Sequence, residues 1–109
     1  MSDTILMEHT QRLLDDPLLD GESVDEKVRY LLQEKYLRRM AQYRRTASWL
    51  AKKYELNFEE FVTRRVVRSE EFSWQVETDA IDWETAISGI RTMGRKLKEL
   101  HEADVLLHG

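Results

Sequence analysis

From Ser23 to Phe61 the chain reads SVDEKVRYLLQEKYLRRMAQYRRTASWLAKKYELNFEEF. Within it Tyr36, Met40, Tyr43, Ala47, Leu50 and Tyr54 recur at alternating intervals of four and three residues. That is the period of a helix seam that packs against another helix. Ser23-Val24-Asp25-Glu26 opens the stretch as a capping box: the Ser23 hydroxyl accepts from the Glu26 amide, and the Glu26 side chain reaches back to Ser23. The pattern predicts one helix from Ser23 to about Lys53, about 45 Å long. Such a helix is longer than usual in a globular protein and holds only if most of its apolar stripe is covered. Val24, Val28, Leu31, Leu32 and Leu37 extend the apolar face toward the N-terminus.

Outward from this stretch the elements are shorter. Asn57-Phe58-Glu59-Glu60 is a second capping signal, and it predicts a helix that buries Phe58, Phe61, Val62 and Val66. On the N-terminal side, Thr4 to Leu14 predicts a short helix, and Asp15 to Gly21 a loop broken by Pro17 and Gly21. On the C-terminal side, Phe72-Ser73-Trp74-Gln75-Val76-Glu77 alternates apolar and polar residues. The expectation there is an extended segment, from Ser69 to Thr78, lying across the helices. Thr78 or Asp79 then caps a last helix with Trp83, Ala86, Ile87, Ile90, Met93, Leu97 and Leu100 at three-and-four spacing. Gly89 and Gly94 weaken that helix or permit a close approach.

Composition agrees with helices. In 109 residues there is one Pro, four Gly and no Cys, which leaves little for tight turns and excludes disulfides and thiolate metal sites. The chain is long enough for one domain with a small core. No apolar run approaches the roughly 20 residues of a membrane span. The N-terminal stretch, with acidic Asp3 and Glu8, lacks the pattern of a signal peptide, so the expected location is cytoplasmic.

The net charge of −4 conceals an uneven distribution. Residues 1–26 carry one basic and eight acidic side chains, 27–68 twelve basic and four acidic, and 69–109 four basic and nine acidic. One reading is internal complementarity, with acidic ends against a basic middle. The other is a basic surface for nucleic acid. Arg38, Arg39, Arg44 and Arg45, joined by Arg64, Arg65 and Arg68 of the next helix, would carry such a surface. Tyr36, Met40 and Tyr43 are interleaved with these arginines but fall on the apolar stripe, where they read as core. Ala47 to Arg65 has a loose helix-turn-helix outline without a glycine in its turn.

Signs of chemistry are sparse. His101, Asp104 and His108 would share a helix face, yet they stand among the last residues of the sequence and read as a solvated tail. Glu59, Glu60, Asp79, Asp82 and Glu84 lie at predicted helix N-termini, where capping and the helix dipole explain them. Neither a phosphate-binding glycine loop nor a nucleophile elbow occurs. The expectation is therefore a non-enzymatic protein with no cofactor and no metal.

The run Lys52-Lys53-Tyr54-Glu55-Leu56-Asn57-Phe58-Glu59-Glu60-Phe61 resembles a motif of small prokaryotic antitoxin-like proteins. There Lys-Tyr-Gly, an apolar residue, Ser or Thr, and Phe-Glu-Glu-Phe follow a long charged helix, and an acidic Trp-containing segment comes next, as Asp82-Trp83-Glu84 does here. Glu55 stands at the family's glycine, the residue that most readily takes a left-handed helix cap. The resemblance implies a protein encoded beside a toxin, often a nuclease, which it neutralises by binding. It implies no catalytic residues.

The expectation is an all-α protein: residues 1–22 as an N-terminal arm, then a helical domain over 23–109. In that domain a C-terminal helix lies antiparallel to the long one, and the seam is completed by oligomerisation, as a homodimer or a hetero-complex. The expected function is antitoxin-like neutralisation of a toxin encoded nearby, with Phe72, Trp74, Trp83, Ile87 and Ile90 as partner-binding anchors. The alternative is a nucleic-acid-binding regulator that uses the arginine face.

Overall fold

Four helices make up the described part of the chain, residues 7–67 and 73–108 of a computed structural model. They are α1 (Glu8–Leu14), α2 (Val24–Tyr54), α3 (Phe58–Val67) and α4 (Trp74–His108). No strand occurs among the described residues. The chain divides into two compact units, residues 1–35 and 36–109, so the division falls within α2.

In the first unit α1 is short and its ends are held locally. Arg12 pairs with Glu8 at 2.9 Å, one turn apart. The loop after it turns at Asp16, whose carboxylate accepts the Leu18 amide at 2.9 Å. Gly21 takes a φ of +117°, and a Cβ there would meet Glu26 Cβ and the Lys27 backbone N at 3.0 Å. At the start of α2 Ser23 Oγ accepts the Glu26 amide at 3.1 Å, and the Glu26 carboxylate accepts the Glu22 amide at 2.9 Å. Lys27 Nζ donates to the Leu14 carbonyl, which ties α2 to the end of α1.

In the second unit α4 runs antiparallel to the C-terminal part of α2. Tyr54 meets Asp79, Tyr43 lies against Gly89, Met40 against Gly94, and Lys96 over the Tyr36 ring. The α2 seam predicted from its spacing is thus at least partly covered at every position from Tyr36 to Tyr54. Gly89 allows the close approach: a Cβ there would stand 2.4 Å from the Tyr43 ring. At Gly94 the nearest atom, Met40 Cε, would be in ordinary contact at 3.7 Å.

The turn between α2 and α3 is a Schellman motif. Glu55 adopts a φ of +55° and the Leu56 amide returns to the Ala51 carbonyl at 3.3 Å. A glutamate therefore takes the left-handed position, despite a steric cost of about 1–2 kcal/mol for a residue with a Cβ. Leu56 and Ala51 both pack on the core, the apolar contact that accompanies this motif. The Asn57 box then forms in full: Asn57 Oδ1 accepts the Glu60 amide at 2.8 Å, and Glu60 Oε1 accepts the Asn57 amide at 3.3 Å.

One expectation is overturned. Residues from Trp74 onward are helical, with Ser73 Oγ accepting the Val76 amide at 3.1 Å, so neither Thr78 nor Asp79 is the cap. The rest of the expected extended segment, 69–72, lies outside the described residues. Alternation over six residues was too short a signal to compete with the seam that Val76 begins. Val76, Ala80, Trp83, Ile87, Ile90, Gly94 and Leu97 repeat the four-three spacing of α2, and all are at least half-buried.

The core sits where the three longer helices meet. Leu50, Phe61, Ala80 and Trp83 are buried, and Tyr54 and Phe58 pack on them. Trp83 is the hub, with ring centroids 5.1 Å from Phe61, 5.5 Å from Phe58 and 6.3 Å from Tyr54. Burying one such indole contributes of order 4 kcal/mol.

Candidate functional site

At the edge of this core α4 presents a buried carboxylate. Asp79 is 3% exposed, and it is matched by donors from two helices. Its Oδ2 accepts from Lys53 Nζ at 2.6 Å and from the Tyr54 hydroxyl at 2.5 Å, and its Oδ1 from Gln75 Nε2 at 3.0 Å. Burial pushes the Asp79 carboxyl up, but the bonds from Lys53, Tyr54 and Gln75, with the Lys53 charge, outweigh it and hold the group below the usual carboxylate range. Tyr54 is driven the other way, to about 12, by burial first and then by its bond to Asp79 and that group's charge. An acid held so firmly ionised is a poor general base. What the node does is clamp the C-terminal end of α2 to the start of α4.

The node also reaches the surface. Lys53 Nζ lies 5.2 Å from the centroid of the Trp49 ring and 5.4 Å from that of Tyr54. Trp49 is 60% exposed. The helix period places Arg38, Arg45, Trp49 and Lys52 within about 60° of one another, on the side of α2 opposite its seam. All four are exposed, and none of the three cations has a hydrogen-bond or ion-pair partner among the described residues. Arg39 and Arg44 are exposed too, but project to either side of this stripe, about 100° away. Arg64 is exposed on α3; the side chain of Arg65, and all of Arg68, lie outside the described residues. The arginines grouped in the sequence thus separate in space, and Trp49, which composition alone did not single out, stands among the cations.

The predicted partner-binding anchors separate as well. Trp83 is 2% exposed at the centre of the core and offers no surface. Ile87 and Ile90 belong to the α4 seam and are half-buried. Phe72 lies outside the described residues. Trp74 is 84% exposed, and Ile81, two turns on and on the same face, is 55% exposed. Glu77, Asp82 and Glu84 flank them. Size and apolarity selected the five anchors, whereas the face of α4 decides which of them a partner can touch. Ile81 was legible at seven residues from Trp74.

Elsewhere Tyr43, Glu84, Thr85, Ser88, Gly89, Thr92 and Met93 border an open groove of about 420 Å³, and nothing in it singles out a ligand. His101 is exposed, and the side chains of Asp104 and His108 lie outside the described residues. No group of metal-ligating side chains occurs among the described residues, and no helix there is long and apolar enough to cross a membrane. Compared with protein-family models, curated proteins and solved structures, the chain finds no match.

Proposed function

We propose that this chain is an antitoxin-like binding protein that neutralises a toxin encoded nearby. The observation that supports this best is the outer face of α4, where Trp74 and Ile81 stand exposed among carboxylates. Exposed aromatics dominate binding energy when a partner desolvates them. An acidic rim suits a partner with a basic active site, as a nuclease has. The antitoxin-like motif itself supplies the fold: Tyr54, Phe58 and Phe61 form the core with Trp83, and Lys53 holds Asp79.

The test is co-expression with the product of the adjacent reading frame. The wild-type chain should restore growth and co-purify. Trp74→Ala, with Ile81→Ala, should keep its circular dichroism but lose both properties, because neither residue lies on the seam. Protection that survives the double substitution would remove this face from the interface, and a neighbour without toxicity would remove the reading itself.

The second reading is a nucleic-acid-binding regulator acting through α2. It is favoured by one observation: from Lys35 to Tyr54, both included, there are seven cations and no carboxylate, and among the described residues only Lys53 of these finds an acidic partner. Solvated helix faces ordinarily mix the two signs.

A further inference from the structure

The geometry of the outer face of α2 points to a single-stranded nucleic acid as its ligand, read by Trp49 as a stacking platform between phosphate-binding cations; we propose this as a deepening of the second reading above, on which it rests. Three features converge. Arg45 precedes Trp49 by one turn, Lys52 follows it by three residues, and Arg38 lies two turns before Arg45, so the stripe runs about 21 Å along the helix. The cations are exposed and without protein partners among the described residues. Trp49 keeps 60% of its surface in water, on the side of α2 away from the seam.

Lys53 makes this indole more than a stray hydrophobe. Asp79 holds the Lys53 ammonium at 2.6 Å, and the ammonium in turn lies 5.2 Å from the Trp49 centroid. A part-buried ion pair thus holds a cation against the ring, a contact that favours one placement of the indole and lowers the entropy lost on binding. A duplex hides the faces of its bases, so it would use the cations but not the indole. A single strand uses both, because unpaired bases stack on aromatic side chains while the backbone follows the positive groove. An acidic protein would match the charge but gives no reason for a flat, pre-positioned ring.

The experiment is a fluorescence-anisotropy titration of the full chain against labelled oligothymidylate, oligouridylate, a duplex of the same length, and polyglutamate, each over a range of salt. Both single strands, or one of them, should bind more tightly than the duplex and polyglutamate. Trp49→Ala should weaken single-strand binding about tenfold or more with the salt slope unchanged, since stacking releases no counterions. Trp49→Phe should recover part of that loss. Arg38→Gln, Arg45→Gln and Lys52→Gln together should flatten the slope by about two, at roughly 0.7 per cation. These surface changes leave the seam untouched, and unchanged circular dichroism checks it. Equal binding of duplex and single strand, indifferent to Trp49, overturns the stacking proposal while the nucleic-acid reading stands. Preference for polyglutamate, or no binding at low salt, overturns both.

Discussion

The two ends of α2 treat their apolar residues differently. From Met40 to Tyr54 the stripe is covered, and Leu50 is 1% exposed. Toward the N-terminus Val24, Val28, Leu31 and Leu37 remain 40% exposed or more. Hydrophobicity does not separate them, since Leu31 and Leu50 are the same residue. Register does. Extended backward, the four-three seam passes through Gln33, Arg29 and Glu26, not through the valines and leucines. The Arg29 side chain, paired to Asp25 at 2.9 Å, is only 14% exposed, less than any of those apolar neighbours. On that line Glu26 and Arg29 are partly covered and Gln33 is exposed, so coverage follows the seam throughout from Tyr36 to Tyr54 and only in part before it.

The largest effect that tests this contrast is one substitution made in two places. Leu50→Gln buries an amide at the centre of the core and should cost about 3 kcal/mol or more, enough to lower the melting temperature sharply. Leu31→Gln, on the exposed part of the same helix, should cost about 1 kcal/mol or less. Equal costs in thermal denaturation would break the comparison. A loss of oligomer on sedimentation of the Leu31 variant would instead sharpen it, by showing that a second chain covers the first half of α2.

A smaller effect comes from the node that fastens the covered end. Asp79→Asn should destabilise by about 1–3 kcal/mol, limited because Lys53 is a third exposed and water takes up part of its charge. The pH dependence has two arms. Because the folded state depresses the Asp79 value, its contribution is complete above the ordinary carboxyl range and is lost as pH falls through the folded value. Because the folded state raises Tyr54 to about 12, its contribution is complete below the ordinary phenol value and is lost as pH rises from there toward 12. An ultraviolet titration of the four tyrosines should show one that ionises only near pH 12. In Asp79→Asn that late step should move down; if it stays, Tyr54 is not coupled to Asp79.

The smallest effect is at the boundary of the covered end. Glu55→Gly should stabilise the chain by about 0.5–1 kcal/mol in chemical denaturation, since glycine takes the left-handed cap without a Cβ clash. A loss of stability would mean that the Glu55 side chain contributes more than the backbone strain costs.

Much of this architecture was legible in residue spacing. Ser23, Asn57 and the Tyr36–Tyr54 seam announced two helix starts and a packing face, because capping and periodicity depend only on neighbours in the chain. The start of the last helix was not legible, because Ser73 looked like part of an alternating run. The Ser73 cap is local, but the Val76 end of the seam gains meaning only when α2 lies alongside. The same limit applied to the surfaces. Trp49, Trp74 and Trp83 are equal in composition, yet one is a core hub, one stands among cations and one among carboxylates. Sequence alone determined that this chain is helical, where α2 runs and that its Tyr36–Tyr54 stripe is covered, whereas the expected extension of that face to Val24, Val28, Leu31, Leu32 and Leu37 is overturned, since all five are exposed off the seam. Only the tertiary structure decided that Asp79 is a buried clamp rather than a cap, and which tryptophans face water, because both depend on how α4 meets α2 in register, a contact between residues some 25 to 60 positions apart that no local pattern encodes.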